Sequence, residues 1–539
     1  MGTSNTETGG ITRRGFLGAA AATGALAALG LAGCAPQSAT SASGKGEAGG
    51  GEAQWVNAKP GSIDKTIDTD VVIVGGGMSG TCCMLKAAEN GLRVTLVDKI
   101  GKTGGATNYN VDTMFAMGDA EHARLGIEST VSPVEYVQAE LEHGQYRNDG
   151  DRWWDVIDAS PEYVEWMKSY GLEFTAMETG GLTLPFFKLT PLMFAPGEGG
   201  GKIATDTLSA AAQELGAEIM LNTEVTSLIQ GEDGAVTGLY ATSEEAGNVQ
   251  INAAAVVLAT GGFGSNPKLW KKAGMNADNM TLCGVDANQG DGYQMAVAAG
   301  GMDGIFDSAP MGQNLIPAFP GRVWNDPVNG NFGLPLMAKR IEVNQDAKRF
   351  MNEDYTLMGD PLGHPLATMN NAASYVMFDQ AMWDEQFAMY GDAASQLMEA
   401  ALSAGDGTFF KCDTVAECAE SMGLDAQTLE ATVNDYNAMC DSAADTRYGK
   451  APMFLQKLEA PFYIGKYQTG ITVYMGGIHT SSNMEVVDIE RNPIPGLYAI
   501  GVDGCSMYRN FYTFGGGAMG HNVYSGRKAA DVIAAKVKA

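Results

Sequence analysis

The chain contains 539 residues, of which 45% are hydrophobic, and this is enough for two or three domains with large buried cores. Its formal net charge of −29 argues against anionic partners, both nucleic acids and the surface of an acidic membrane. Eight cysteines without a CxxC or CxxCH spacing and five scattered histidines predict no disulfide framework, no c-type haem and no metal site.

The first 66 residues have the pattern of an export signal followed by a tether. Arg13 and Arg14 precede a weakly apolar run of Ala and Gly, which is typical of twin-arginine signals. The run ends in LAGC, so residues 1–34 resemble a lipoprotein signal in which Cys34 carries lipid at the outer face of a membrane. Cleavage without lipid and a retained N-terminal anchor are the alternatives. Residues 35–66 are rich in Ser, Gly and Ala and predict a flexible linker.

A strand, a glycine-rich turn and a helix follow one another from Thr69. The continuous apolar run Val71–Val74 predicts a buried parallel strand. Gly75, Gly77 and Gly80 follow with the spacing GxGxxG and open a helical pattern. The first glycine permits a tight turn, the second lets the backbone approach a pyrophosphate, and the third lets helix and strand pack closely. The segment therefore predicts a dinucleotide site.

A second strand, Val94–Val97, completes this unit and ends in Asp98. Asp98 lies 23 positions after Gly75, where a carboxylate can accept hydrogen bonds from a ribose. The nucleotide-binding residues predicted in this unit are Gly75, Gly77, Met78, Ser79, Gly80, Asp98 and Lys99.

Five further segments follow in order: KTGGATNYN (102–110), NTEVTSLI (222–229), AAVVLATGGFG (254–264), GDGYQMAVAAGG (290–301) and IPGLYAIGVDG (494–504). The ordered set resembles the flavoprotein superfamily of fumarate reductase and succinate dehydrogenase, which also holds urocanate reductases and 3-ketosteroid dehydrogenases. The resemblance extends from about Thr69 to Ala535. It implies an α/β fold, in which a Rossmann-like FAD-binding domain is interrupted by an α+β capping domain, and non-covalent FAD as the cofactor.

The same resemblance implies further cofactor contacts and domain bounds. Val225 would hold the adenine end through its backbone, and the glycines before the last helix would place its N-terminus at the flavin. The further residues implied are Gly104, Gly105, Ala106, Thr107, Val225, Thr260, Gly261, Gly262, Asp291, Asp503, Gly516, Ala518 and Met519. The family usually has a glutamate after the glycine that matches Gly501, whereas this chain has Val502 and then Asp503. Residues 67–314 and 474–539 would form the FAD-binding domain, and residues 315–473 the cap that excludes water.

Three positions that are cationic or proton-donating in fumarate reductases of this family are uncharged here. Leu357 stands in place of the arginine that donates the proton, Thr513 in place of a second arginine, and Val473 in place of a histidine. A dicarboxylate needs cationic partners when it leaves water. The comparison therefore favours an acceptor that is uncharged or carries a single charge.

Tyrosines stand near the same motifs, at Tyr355, Tyr474, Tyr508 and Tyr512. Ketosteroid dehydrogenases of the superfamily use tyrosines to polarise a carbonyl and to move protons, which a phenol does without a bound charge. We hypothesise that FAD N5 delivers hydride to the β-carbon of an activated C=C bond and that Tyr512 or Tyr355 protonates the α-carbon. Tyr474 is a third candidate, and Arg509 would polarise a carbonyl or hold one carboxylate. The alternatives are buried rings with satisfied hydroxyls and, for Arg509, a structural ion pair.

Capping signals predict three scaffold helices. Ser-Pro pairs at Ser132 and Ser160 each indicate a helix start, and both segments end at a glycine. A third helix is predicted over Asp425–Asp441.

The sequence as a whole predicts an exported FAD-dependent oxidoreductase that acts on CH–CH bonds. It would reduce a small organic acceptor with electrons from a separate protein or carrier. The alternatives are a ketosteroid-type dehydrogenase running in the oxidative direction, a fumarate reductase-like flavoprotein subunit, and an exported flavoprotein that only carries electrons. A route that exports folded proteins agrees with a deep FAD site, because FAD is loaded in the cytoplasm.

Overall fold

A computed structural model describes residues 55–109, 113–176, 189–197, 199–319, 338–354, 373–388, 391–509, 512–513 and 516–539. The strands in chain order are β1 (Lys65–Val74), β2 (Val94–Val97), β3 (Thr113–Met114), β4 (Phe174–Ala176), β5 (Leu192–Phe194), β6 (Glu218–Met220), β7 (Thr223–Gln230), β8 (Val236–Ser243), β9 (Gly247–Leu258), β10 (Met280–Leu282), β11 (Ala309–Leu315), β12 (Ile341–Val343), β13 (Ala373–Asp379), β14 (Phe409–Cys412), β15 (Phe462–Met475), β16 (Glu485–Val487) and β17 (Pro493–Ala499).

The α-helices are α1 (Met78–Glu89), α2 (Ala120–Arg124), α3 (Pro133–His143), α4 (Gly150–Ser169), α5 (Gly200–Glu214), α6 (Pro267–Lys272), α7 (Asp291–Ala298), α8 (Gln380–Phe387), α9 (Asp392–Ser403), α10 (Val415–Met422), α11 (Ala426–Asp441) and α12 (Gly517–Val537). In the described part of the chain, no helix is both long and apolar enough to cross a bilayer.

The largest sheet has eight strands and a parallel centre. Strands β6, β2, β1, β9 and β17 lie side by side in parallel, β16 is antiparallel at one edge, and β8 and β7 continue from β9 as an antiparallel hairpin. Val71 and Ile73 of β1 face one hydrophobic core, and Val72 and Val74 face a second. Because alternate side chains of a strand point to opposite faces, the continuous apolar run buries both faces of the sheet. The predicted α/β fold is confirmed.

A second sheet of six strands carries a third hydrophobic core. Strand β15 pairs with β10, β11, β13 and β14, and β12 extends the sheet beyond β13. The third core contains apolar residues between Ile316 and Tyr467. Its sequence range falls within the predicted cap. The described residues belong to one compact unit, so the boundaries of the cap stay a prediction.

Two of the three predicted scaffold helices begin where expected. The Ser132 hydroxyl accepts from Glu135 N, and the Glu135 carboxylate accepts from Ser132 N, which forms a capping box at the start of α3. The Asp425 carboxylate caps α11 by accepting from Thr428 N.

The third predicted helix start is wrong. Helix α4 begins at Gly150 and continues through Pro161 to Ser169, so the Ser160–Pro161 pair lies inside it. Proline lacks the N–H that would bond the carbonyl four residues earlier, here that of Ile157. The Ser160 hydroxyl lies 2.8 Å from this Ile157 carbonyl and 2.8 Å from the Met117 carbonyl, and it can donate its proton to either. The side chain can thereby replace the missing backbone bond while the helix continues.

Candidate functional site

A cleft opens at the carboxyl ends of β1, β2 and β9, the edge at which open parallel sheets bind their ligands. It contains about 860 Å³ of empty space, part of it open to solvent. Thirteen of the predicted cofactor-binding residues line it: Gly75, Gly77, Met78, Ser79, Asp98, Lys99, Gly105, Ala106, Thr107, Val225, Thr260, Gly261 and Asp291.

The three glycines of the first turn have separate roles. Gly75 has a φ of +106°, and a Cβ on it would lie 2.2 Å from the Ala259 carbonyl oxygen. A Cβ on Gly80 would lie 2.0 Å from the Gly75 oxygen, so Gly80 allows α1 to pack on the sheet and does not line the cleft. Gly77 does line the cleft, and a Cβ on it would meet no protein atom within 4 Å. A side chain at Gly77 would therefore occupy ligand space.

Asp98 connects the glycine turn to the end of β2. One carboxylate oxygen accepts from Gly76 N at 2.7 Å, and the other accepts from Ile100 N at 3.0 Å. Burial raises the pKa of this carboxyl, and the two backbone hydrogen bonds oppose the shift. Asp98 thus both shapes the turn and presents a carboxylate to the cleft.

The second glycine-rich loop is tied to the first by backbone. Gly104 N donates to the Gly76 carbonyl oxygen at 2.7 Å, and a short 3₁₀ helix, Gly105–Asn108, follows. A Cβ on Gly104, whose φ is +105°, would lie 2.0 Å from Asn108 Oδ1. Gly104 therefore joins the two loops and lies outside the cleft lining.

The cleft holds almost no free positive charge. Among the described residues that line it, Lys99 is the single cationic side chain, and its Nζ lies 2.5 Å from Asp291 Oδ2. The ion pair joins the end of β2 to the start of α7. Because Asp291 neutralises Lys99, the lining offers no unpaired cation to a carboxylate.

The structure places the Asp503 carboxylate on the loop after β9, and its contact with the cofactor stays a prediction. Its buried carboxylate accepts from Thr260 N at 2.5 Å, from Thr260 Oγ1 at 2.9 Å and from Gly262 N at 2.8 Å. It is therefore occupied in holding the loop after β9, and Val502 lines the cleft in its place. Gly262 also lies outside the cleft lining. It packs closely against β15, because a Cβ on it would meet the Tyr474 carbonyl oxygen at 2.2 Å.

Tyr474 also lies outside the cleft lining. Its ring stacks on Phe263 with 4.1 Å between centroids, and its hydroxyl lies 3.5 Å from Met275 Sδ in a hydrophobic core. Its neighbour Val473 lines the cleft. Successive residues of β15 point to opposite faces of the sheet, so Val473 lines the cleft while Tyr474 does not, and a catalytic role of Tyr474 stays a prediction.

The N-terminus of α12 carries the last predicted cofactor residues. Gly516 has a φ of +75°, and its carbonyl accepts from Phe115 N at 3.0 Å. Ala518 and Met519 lie in the first turn of the helix. None of the three is among the lining residues, and their contact with a cofactor stays a prediction.

Two asparagines that the sequence reasoning missed line the cleft. Asn288 Nδ2 and Asn522 Oδ1 are buried and have no hydrogen-bond partner among the described residues. Buried amide groups normally find partners, so both atoms fit a polar ligand in the cleft. Asn522 follows directly on the glycine-rich start of α12, a position that could have suggested it. Asn288 precedes the GDG turn by two residues.

A protein-family model described as an FAD binding domain matches residues 70–519. The chain belongs to this FAD-binding family. The match begins at the buried part of β1 and ends in the first turn of α12, so it includes every residue that lines the cleft except Asn522.

Named relatives of this FAD-binding chain include reductases. It is 30% identical over 490 residues to the vinyl phenol reductase of Lactiplantibacillus plantarum, with 85% of this chain and 95% of the relative covered. It is 29% identical over 447 residues to the urocanate reductase of Eggerthella lenta, with 81% and 70% covered. The structure of the open conformation of a flavocytochrome c3 fumarate reductase aligns with a TM-score of 0.63 and 26% identity, covering 88% of this chain and 79% of that one. The chain is an FAD-dependent oxidoreductase, as predicted.

The residues of the cleft fit FAD. Gly77 leaves the backbone at the start of α1 open to a pyrophosphate, which the helix N-terminus favours. Asp98 presents a carboxylate at the end of β2, and the unpartnered amide atoms of Asn288 and Asn522 offer a donor and an acceptor. An elongated ligand with a diphosphate, hydroxyls and heterocycles has groups that can pair with the backbone at the start of α1, the Asp98 carboxylate and the two asparagine side chains.

The remaining catalytic candidates lie outside the lining. The Arg509 guanidinium lies 3.8 Å from Asp307, and Arg147 binds the same carboxylate at 2.8 Å. Arg509 thus has the structural ion pair considered as its alternative. The Tyr512 ring is buried against Tyr508, with 4.8 Å between centroids. Tyr355 and Leu357 lie outside the described residues.

Next to Tyr512, Thr513 makes a contact that the sequence did not predict. Its hydroxyl donates to Glu140 Oε1 of α3 at 2.5 Å, and both side chains are buried. Burial raises the pKa of Glu140 to about 8, while hydrogen bonds from Thr513 and Tyr136 oppose the shift. The position that carries an arginine in fumarate reductases is therefore bonded here to a carboxyl group.

Proposed function

We propose that this flavoprotein reduces an activated C=C bond in a small organic acceptor that is uncharged or carries a single charge. Two relatives are a vinyl phenol reductase and a urocanate reductase, each named for an unsaturated compound. The bound FAD supplies hydride for such reductions. The polar and apolar side chains at the acceptor site would determine which class of acceptor this chain reduces.

The Thr513–Glu140 hydrogen bond carries the proposal. A dicarboxylate such as fumarate requires cationic groups that replace its hydration. Here the position equivalent to the family's arginine presents a neutral hydroxyl whose proton is already donated to Glu140. Val473 supplies an apolar surface to the cleft. A second carboxylate would meet a carboxyl group instead of a guanidinium, so fumarate is disfavoured.

Tyr512 is the residue proposed to hold the proton that the reduced carbon receives. It is the tyrosine adjacent to Thr513, and its ring lies in the core that also contains Val473 and Met519. A phenol donates a proton without requiring a bound charge, which suits an uncharged site.

An anaerobic assay with a reduced dye as electron donor tests the acceptor class. We expect turnover with 4-vinylphenol or a related aryl alkene or enone, slower turnover with urocanate and none with fumarate. Rapid reduction of fumarate would overturn the proposal. Reduction of the bound flavin by a saturated ketone, without reoxidation by the unsaturated product, would favour the ketosteroid-type dehydrogenase.

We further propose that the protein is exported by the twin-arginine route and is tethered at Cys34 by lipid. The support is the arginine pair, the weakly apolar run and the LAGC sequence, all of which lie outside the described residues. Because the sequence contains no CxxCH motif, electrons would reach the FAD from a separate protein or diffusible carrier. Radiolabelled palmitate incorporation that is lost in Cys34→Ser would support the lipid, and incorporation unchanged by that substitution would refute it.

A further inference from the structure

Glu140 is a buried carboxyl group without a charged partner among the described residues. Its side chain is fully buried in α3, where Oε1 accepts from Thr513, and the other neighbour that acts on the carboxyl is the hydroxyl of Tyr136. Arg152, a cation of the adjacent helix α4, donates to the Ser481 carbonyl at 3.1 Å. A buried carboxylate without a cation is strongly disfavoured, so the protonated form is stabilised.

The titratable groups that surround Glu140 are tyrosines. Tyr136 lies on the same helix, and Tyr508 and Tyr512 come from the segment before α12. Burial raises the pKa of Tyr136 and Tyr508, and the proximity of Glu140 and Tyr512 raises each further. Cys505, whose pKa burial raises to about 11, lies beside Tyr508. At neutral pH the carboxyl of Glu140 is therefore the most acidic proton in this group.

The tyrosines connect Glu140 with the start of α12. The Tyr508 ring contacts Trp153 edge-on at 5.4 Å and Tyr512 at 4.8 Å. The Tyr508 hydroxyl is buried without a partner and faces Gly517, on which a Cβ would lie 2.0 Å away. Tyr136 interacts electrostatically with both Glu140 and Tyr512. The buried tyrosines thus lie between the carboxyl and the helix terminus that is predicted to face the cofactor.

We infer that Glu140 is a positioning residue that stores the proton which replaces the one Tyr512 gives to the substrate during the reduction. The inference rests on the proposed function. When the O–H bond of Tyr512 breaks and a C–H bond forms at the substrate carbon, the tyrosinate takes a proton through Tyr136 from the Glu140 carboxyl. Glu140 then regains a proton from water. The reduced cofactor would supply one hydride, which carries both electrons, and Tyr512 supplies one proton, so the addition to the C=C bond is balanced.

Infrared spectroscopy of the holoenzyme tests whether Glu140 holds a proton, independently of turnover. We expect a protonated-carboxyl stretch at pH 7 that is absent in Glu140→Gln and retained in Glu142→Gln. Glu142 is exposed two residues away on the same helix and provides the matched control. A spectrum of Glu140→Gln identical to that of the wild type would overturn the inference whether or not the enzyme reduces the tested acceptors.

The pH dependence of kcat separates proton storage from a structural role. The wild-type rate is expected to fall as pH rises through about 8, because the stored proton is then lost. In Glu140→Gln this alkaline limb should disappear and kcat at pH 7 should fall about tenfold or more with KM little changed. An unchanged alkaline limb, or an equal loss at all pH values, would contradict the inference.

Thr513→Val provides a second variant if Glu140→Gln does not fold. The Thr513 hydrogen bond lowers the pKa of Glu140, so its removal should raise that pKa and move the alkaline limb to higher pH. A limb that stays in place or moves to lower pH would refute the role of Glu140. Lack of C=C reduction by every variant, together with the expected infrared difference, would refute the proposed function alone.

Discussion

Single residues of the glycine turn differ in whether they serve the fold or the ligand. A side chain at Gly75 or Gly80 would overlap backbone oxygen atoms, so these positions belong to the packing of strand and helix. A side chain at Gly77 would overlap no protein atom. The sequence motif predicted all three, because their spacing is set by the tight turn and the closely packed helix.

Gly77→Val should abolish FAD binding without unfolding the chain. The added side chain would occupy cleft space that the diphosphate needs, while it meets no protein atom. Flavin absorbance of the purified protein should fall about tenfold or more, with the far-ultraviolet circular dichroism unchanged.

Gly61→Val is the matched control for this prediction. Gly61 is exposed, lies outside the cleft lining, and a Cβ on it also meets no protein atom within 4 Å. Full flavin content in Gly61→Val and in Gly77→Val alike would contradict the assigned role of Gly77.

Two adjacent pairs of residues show where sequence reasoning stops. Val473 and Tyr474 are adjacent in sequence, and so are Val502 and Asp503. In each pair, the sequence reasoning assigned a role to the second residue, whereas the first one lines the cleft. Every residue of β15 from Gly470 to Met475 is buried. When both faces of a strand are buried, no polar and apolar alternation reveals which side faces the ligand.

Two isosteric exchanges test this assignment of faces. Tyr474→Phe should leave kcat and KM within about twofold, because the hydroxyl lies in the core beside Met275 Sδ and Ser308. Val473→Thr places a hydroxyl at the cleft and should raise the KM for an apolar acceptor several-fold. Steady-state kinetics at equal flavin content measure both, and the reverse order of effects would show that the faces are exchanged.

At the scale of elements, most strands and helices near the cleft follow from the sequence. Predicted strand Val94–Val97 agrees with β2, and the helical pattern predicted after the GxGxxG turn agrees with α1. The start of α4 could not be predicted, because the Ser160 hydroxyl compensates for the N–H that Pro161 lacks inside the helix. The second-sheet residues that pair with β15 are distant in sequence, so local patterns do not specify them.

Ser160→Ala should destabilise the protein through α4. The Ser160 hydroxyl can donate to Ile157 O at 2.8 Å and also accepts from Met117 N at 2.9 Å, so its loss leaves buried backbone groups unpaired. We expect a loss of about 1–3 kcal/mol in the free energy of unfolding, measured by urea denaturation. Ser169→Ala, which removes an exposed hydroxyl from the same helix, should cost less. Equal losses of stability in the two variants would show that the Ser160 hydroxyl does not compensate for the N–H that Pro161 lacks.

At the scale of the whole molecule, export and cofactor loading should be coupled. The twin-arginine route transports folded proteins. The FAD cleft is formed by segments from Val74 to Asn522, so it exists only in the folded chain. Replacing Arg13 and Arg14 together by lysine should retain the protein inside the cell with its flavin bound. Cell fractionation with flavin fluorescence measures this. Export that is undiminished by the double substitution would contradict the proposed route.

The stability of the whole molecule should depend on pH through Glu140. The pKa of this carboxyl is about 8 in the folded chain against a usual value of 4.5, so the folded state keeps a proton that the unfolded state loses between these values. Raising the pH from 4.5 to 8 therefore lowers the free energy of unfolding, and the loss is complete above pH 8.

Glu140→Gln removes this dependence because glutamine does not titrate. Relative to the wild type, the variant should gain stability as pH rises through that interval, by up to about 5 kcal/mol for a shift of this size. Thermal unfolding of both holoenzymes from pH 5 to pH 9 measures the difference, and Glu142→Gln should follow the wild type because its position is exposed. A stability difference that is constant over the range would show that Glu140 is ionised in the folded protein. In that case the buried cluster around Tyr512 must contain a compensating positive charge.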